Sequence, residues 1–295
     1  MTGNTASSTR GSIYGKHVRL SDLLLTGVIY FCAGLSILIL AGIMGYVFVR
    51  GIPHISWEFL STATSTLKGT VGILGNIINT LYIVVITLLI ATPIGVGSAV
   101  YLNEYAKPGK VVRAIEFTTE TLSGIPSIIF GLFGMVFFGN TIGLKYSLLT
   151  GALTLTLMIL PLITRTTQEA LKTVPDSYRH GALGIGATKW YMIRTIILPS
   201  AMPGILTGII LAIGRIVGES AALLFTAGSG YDLPRNLFGK VFESGGTLTI
   251  QLYLFMQKAQ YDEAFGVAVV LLVIVLGINC LAKYLSYRFD VETRA

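Results

Sequence analysis

Arg215 and Glu219 stand four positions apart in a stretch, residues 203 to 224, that is otherwise almost wholly apolar. In a membrane-crossing helix a charge at bilayer depth costs about 2.5 to 3.5 kcal/mol even on the permissive insertion scale, so such residues are functional candidates by default. A guanidinium stays charged at any cellular pH and offers paired planar donors, which suits it to an oxyanion crossing the membrane. At i, i+4 spacing the two side chains are also able to pair. Glu219 then holds Arg215 in place and limits how tightly an anion is retained, or the pair serves only to join helices. Arg165, at the end of the apolar run 146 to 164, is the second candidate. It reads either as a residue of an anion path or as an anchor whose stem lies on apolar surface while its head reaches water.

The elements that must position these groups follow from composition. Hydrophobic residues make up 53% of the chain and charged residues 12%, against about 25% charged in soluble domains, and mean hydropathy is +0.75. The apolar residues gather in six runs: 23 to 49, 75 to 102, 122 to 139, 146 to 164, 203 to 224 and 264 to 284. Each approaches the about 20 residues a bilayer core demands. In lipid each must be helical, because no water satisfies its backbone. The pattern predicts an all-α polytopic membrane protein with six transmembrane helices.

The first run follows a basic head but far exceeds the about 7 to 15 residues of a signal h-region, so it reads as an uncleaved anchor. Cys32 and Cys280 lie in the first and last runs and build neither a disulfide framework nor a metal cluster. No metal site and no bound cofactor are expected.

Lys and Arg set the orientation. With both termini inside, Lys107, Lys110 and Arg113 share the inner side with Arg165, Lys172, Arg179, Lys189 and Arg194, whereas the outer loops 50 to 70 and 225 to 263 hold few cations. The +7 net charge is thereby explained by topology, and no basic, aromatic-interleaved face supports a nucleic-acid partner. The expected organisation is a cytoplasmic N-terminal tail (1–22), a first span with its outer loop (23–70), a membrane domain (71–284) and a cytoplasmic C-terminal tail (285–295). Within the longer outer loop, residues 248 to 256 are apolar but too short to span. They dip into the outer face or lie along it.

Gly204 and Gly208, then Gly214 and Gly218, repeat the small-xxx-small spacing that lets helices approach closely in lipid. An advance of about 100° per residue puts Gly204, Gly208, Ala212, Arg215 and Glu219 on one stripe, with Gly214 and Gly218 on its flank. Leu206, Ile209, Ile210, Ile213, Ile216 and Val217 populate the opposite face, toward lipid or bulk packing.

Between the fourth and fifth runs, residues 180 to 199 form a cationic, glycine-punctuated island, HGALGIGATKWYMIRTIILP. Taken alone it reads as a polar loop whose glycines end helices. Its spacing resembles the signature loop of ABC importer permeases, which runs E-A-A, three residues, Gly, nine residues, Ile, one residue, Leu-Pro. His180, Gly181, Ala182, Gly186, Ile196, Leu198 and Pro199 occupy every fixed position. His180 stands where Glu is usual and Gly181 where Ala is usual. The resemblance implies a short cytoplasmic coupling helix around Gly181 to Lys189, Gly184 included, that docks on an ATP-hydrolysing partner.

Further strings narrow it. RTTQEALKTVPDSYR (165–179), GIILAIGRIVGESAALLFT (208–226) and SGIPSIIFG (123–131) resemble the A-type permease subunit of phosphate-specific ABC importers over residues 71 to 284. That family implies a type I ABC importer permease fold in a bacterial or archaeal plasma membrane. It also implies a heterodimer with a C-type permease subunit, two copies of a cytoplasmic ATPase subunit, and an extracytoplasmic phosphate-binding protein. The substrate implied is inorganic phosphate, with Arg165, Arg215 and Glu219 as pathway residues. No G-x-x-x-x-G-K-[ST] phosphate loop occurs in the chain, so ATP and Mg belong to the partner ATPase. The alternatives are a permease for sulfate, molybdate or phosphonate, a scaffold that relays phosphate status, and an ion-gradient carrier, which has no use for an ATPase-docking loop.

Overall fold

The computed structural model describes residues 20–65, 70–234, 236 and 238–289. Of the two tails, residues 1–19 and 290–295 lie outside the described residues. The chain divides into two units, Met1–Phe48 and Val49–Ala295. The first is the greater part of helix α1 (Leu20–Gly51), apolar on all sides, with Leu24, Phe31 and Leu38 among its exposed side chains. A helix without a polar face is built to be surrounded by lipid.

The second unit opens with α2 (Trp57–Ser61) and a short antiparallel ribbon, β1 (Ala63–Ser65) and β2 (Thr70–Ile73), in which Ala63 faces Ile73. Helix α3 (Leu74–Val100) widens at its end into a π-wound turn, Tyr101–Tyr105. Then come α4 (Lys110–Ser123), α5 (Ser127–Gly134) with a π-wound extension to Thr141, and α6 (Leu148–Thr173). Two short helices, α7 (Asp176–Gly184) and α8 (Lys189–Met192), lead through Ile193–Ile197 into α9 (Leu198–Gly218). The remainder is α10 (Ala221–Thr226), α11 (Leu248–Gln257) and α12 (Tyr261–Phe289).

Helix α6 is the centre of the bundle, packed between α3 and α9. Leu155, Ile159 and Ile163 of α6 are fully enclosed with Ile83 of α3 and Ala212 and Ile216 of α9. Ile216 and Val217 are thus core residues. Helix α6 is also rich in threonine. Thr154 and Thr156 donate to the carbonyls of Thr150 and Ala152 at 2.7 and 2.8 Å, so these hydroxyls enter the core already satisfied.

Close approach is set by glycine. A Cβ on Gly95 would stand 2.7 Å from Ile163, and one on Gly204 would stand 2.6 Å from Ala170 Cβ. Gly208 lies equally close against Thr166, whereas Gly214 and Gly218 have nothing within 4 Å. The first glycine pair therefore lets α9 lie on α6, and the second faces open space.

Among the described residues five helices are long and apolar enough to cross a membrane, and the bent pair α4–α5 passes the same test when taken as one span. The expected third span, 122 to 139, is broken: α4 and α5 meet at 101°. Pro126 ends the first helix, because a residue preceding proline is driven out of the helical region. Helix α4 buries none of its residues. The expected fifth span, 203 to 224, is broken too. Helix α9 stops at Gly218, Glu219 is extended with ψ 126°, and α10 begins at Ala221.

At the end of the bundle away from α7, residues 227–234, 236 and 238–247 fold over the tips of α3 and α6. Asn76 and Asn79 donate to the carbonyl of Gly246 at 2.9 and 3.2 Å, and Leu248 N–H donates to Thr80. Lys240 is enclosed at 1% exposure, its ammonium donating to Asp232 O at 2.8 Å with Glu243 3.4 Å away.

Candidate functional site

Arg165 and Arg215 line one cleft of about 420 Å³, with Glu116 and Glu120 of α4 opposite and Gln168, Glu169 and Lys172 further along α6. The α6–α9 register accounts for their placement. Gly204 faces Ala170 and Gly208 faces Thr166, so in this antiparallel pair Arg215 falls opposite Ile159. At 1.5 Å per residue it stands about 9 Å beyond the level of Arg165, away from α7. The two guanidinium groups thus succeed one another along the cleft rather than sharing one level.

Their electrostatic situations differ. Arg165 lies 3.5 Å from Glu120 and donates through Nε to Glu169 at 3.4 Å. All three are exposed to the cleft, and ion pairs of that kind are worth only about 0 to 1 kcal/mol. Arg215 makes no ion pair within 4.0 Å among the described residues. Of the two guanidinium groups in the cleft, one is therefore already shared between carboxylates and the other has its donors available.

Glu219 is not part of this arrangement. The helix break at Gly218 removes the i, i+4 geometry, and no ion pair joins Glu219 to Arg215. Its carboxylate accepts from Ala222 N–H at 3.1 Å, at the start of α10, and its carbonyl accepts from Thr249 at 2.8 Å. The signal was present: Gly-Glu-Ser reads as a helix stop followed by capping residues as readily as a continuing helix.

The signature segment is built as α7, a turn, α8 and the start of α9, so the helical part begins at Asp176 rather than near Gly181. Ala182 is the buried residue of α7, packed with Met192, Ile193 and Ile197. Gly186 adopts φ +85°, a left-handed conformation that disfavours any side chain. Gly181 and Gly184 border open space. His180 is exposed beside them, and Leu183 and Ile185 are exposed at 47% and 87%. Ile196 is half-buried, and Leu198 and Pro199 continue the helix from the π-wound Ile193–Ile197 into α9. The result is a small apolar surface turned away from the bundle.

Sequence reasoning missed the residue that fixes this segment in place. Arg179 donates to Glu104 through Nε at 3.2 Å and Nη2 at 2.9 Å, and to the carbonyls of Val174 and Leu171 at 2.8 and 2.9 Å. Hydrogen bonding to Glu104 holds its pKa above the ordinary arginine value, against the opposing effect of burial. Arg179 stood out in the sequence only as one more inner-side cation. Among the described residues no group of three His, Cys, Asp or Glu could hold a metal.

A bundle of membrane-crossing helices with a charged cleft and a separate exposed signature segment defines a membrane permease subunit. The chain belongs to the family of binding-protein-dependent transport system inner membrane components, which it matches over residues 91–292. It is similar to the probable ABC transporter permease protein YqgI of Bacillus subtilis, 36% identical over 91% of this chain and 96% of that one. It is also similar to the phosphate transport system permease protein PstA 1 of Mycobacterium tuberculosis, 32% identical over 76% of this chain and 75% of that one. In fold it resembles a chain of a bacterial alginate ABC transporter solved in complex with an alginate pentasaccharide-bound periplasmic protein. The TM-score is 0.65 at 18% identity, over 92% of this chain and 95% of that one. The chain is therefore a multi-pass transporter subunit with the ABC importer permease fold, not an enzyme.

Proposed function

We propose that this chain is one of two permease subunits in an ATP-driven importer of inorganic phosphate and forms half of its translocation path. The observation that carries the reading is the cleft in which Arg165 and Arg215 succeed one another along α6 and α9. Staggered guanidinium groups offer a multivalent oxyanion two successive footholds, and the carboxylates beside Arg165 keep the first from becoming a trap. The phosphate transport name of the mycobacterial relative favours phosphate over sulfate, molybdate or phosphonate.

In this reading the termini and α7 face the cytoplasm of a bacterial or archaeal cell, in keeping with the cations between the fourth and fifth spans. The partners are a C-type permease subunit, two copies of a cytoplasmic ATPase that use ATP and Mg, and an extracytoplasmic phosphate-binding protein. This chain binds no cofactor of its own. ATP closes the two ATPase copies, their grip on α7 draws the inner ends of the fourth and fifth spans, and the passage opens outward. Phosphate enters from the binding protein, and hydrolysis lets the cleft reopen inward.

The test is uptake of radiolabelled phosphate by the reconstituted complex, competed with sulfate, molybdate and phosphonate. ATP-dependent uptake that only phosphate competes supports the reading. Uptake displaced equally by sulfate overturns the substrate, and uptake by the single chain without an ATPase overturns the coupling.

A further inference from the structure

The clasp between Arg179 and Glu104 joins three elements, two of them consecutive and the third far away in sequence. Arg179 sits on α7. Glu104 closes the π-wound end of α3, seventy-five positions away, and its side chain is 4% exposed against 16% for Arg179. Leu171 and Val174, whose carbonyls Arg179 also holds, belong to the end of α6 and the linker after it. With Asp176 at 3.1 Å from Nη1, every N–H of the guanidinium is engaged.

Capping α6 does not account for Glu104. The terminal carbonyls of a helix need donors, and Arg179 supplies them without any partner on α3. A buried ion pair is also weak evidence for stability, since apolar residues of similar volume often serve as well; its best-attested use is to fix one arrangement against others. The arrangement fixed here is that of α7 relative to α3. The route from α7 to α9 is different in kind: a turn through Gly186 and the apolar packing of Ala182 on Met192 and Ile193, which has no preferred direction.

We propose that Arg179 and Glu104 are positioning residues that make α7, the end of α3 and the end of α6 one rigid body, so that displacement of α7 is transmitted to the cleft-lining helix α6 and to α3. The inference rests on the reading of α7 as the ATPase-facing helix. It adds the second span to the set that the partner moves, and it assigns the transmission to a directional bond rather than to chain connectivity.

The experiment compares wild type, Glu104→Gln, Arg179→Lys and the exchanged pair Glu104→Arg/Arg179→Glu in the reconstituted complex, reading ATP hydrolysis and phosphate uptake together. Arg179→Lys keeps the charge but cannot reproduce the fork. Glu104→Gln and Arg179→Lys are expected to keep hydrolysis while uptake per ATP falls about ten-fold, within the usual range of coupling between sites, and the exchanged pair is expected to recover part of the ratio. Hydrolysis and uptake falling in proportion, or a ratio that does not change, overturns the proposal. Amide hydrogen exchange on the same chains covers the case in which wild type imports no phosphate and the functional reading itself fails. Faster exchange in both α7 and residues 101–105 of Glu104→Gln, with α9 unchanged, keeps the rigid body. Unchanged exchange there, or a change confined to α7, removes it.

Discussion

Arg165 reaches Glu120 across 3.5 Å and so ties α6 to α4, the helix that turns away from its own span at 101°. Glu120 therefore competes with any anion for the same guanidinium. Replacing it by Gln leaves Arg165 with Glu169 alone, and the cleft gains one unit of net positive charge. The expected outcome is tighter phosphate retention and slower release, a fall of about three-fold to ten-fold in both KM and kcat for uptake, of the order of the about 1 kcal/mol an exposed pair can carry. Faster turnover at unchanged KM would show that Glu120 does not share Arg165 with the substrate.

Arg215 is the cleft guanidinium without an ion pair among the described residues, so its loss is not cushioned by a carboxylate partner. Arg215→Gln is expected to reduce phosphate uptake by about 100-fold, equivalent to about 2.7 kcal/mol, with the complex still assembled and still hydrolysing ATP. Arg215→Lys is expected to restore part of it, since charge returns without the paired donors. Wild-type uptake in Arg215→Gln would make the residue a bystander.

Gly186 holds φ +85° with no neighbour within 4 Å, so a side chain there is opposed by the backbone and not by crowding. Gly186→Val is expected to cost about 1 to 2 kcal/mol locally and to unsettle the turn between α7 and α8 while the membrane bundle keeps its helix content. Co-purification with the ATPase should drop sharply, and circular dichroism should not change. Full ATPase recovery with that variant contradicts the docking role.

The two glycine pairs on α9 separate packing from mere spacing. Gly204→Val must force α9 away from Ala170, whose Cβ has no alternative position, and is expected to destabilise the isolated chain in detergent by about 1 to 3 kcal/mol. Gly214→Val enters open space and is expected to stay within about 0.5 kcal/mol. Equal effects at both positions would mean that the α6–α9 contact is not what Gly204 serves.

Much of this fold was legible from local pattern. Apolar runs long enough to span mark α1, α3, α6, α9 and α12, because their environment is lipid or bundle core along nearly their whole length. The breaks were harder to read, since hydrophobicity continues across them: Leu122 and Ile125 flank the 101° bend, and Val217 and Ala221 flank the stop at Glu219. Pro126 and Gly218 carried the missing signal as backbone chemistry. Arg165 and Arg215 were visible as charges in apolar surroundings, yet their stagger depends on the register that Gly204 and Gly208 set against α6. The bond from Arg179 to Glu104 was invisible, because a partner seventy-five residues away is chosen by tertiary structure.

The bend between α4 and α5 has a further outcome for the surrounding lipid. Ser127–Gly134 rises about 12 Å as an α-helix, and the π-wound extension to Thr141 adds less per residue, so α5 with its extension falls short of the about 30 Å of a bilayer's hydrocarbon. Acyl chains beside α5 must shorten or tilt to match it, and polar headgroups settle deeper on that flank. The electrostatic barrier to an ion is lowest where the oily layer is thinnest, so the crossing that looks incomplete as a rod also eases the passage of charge.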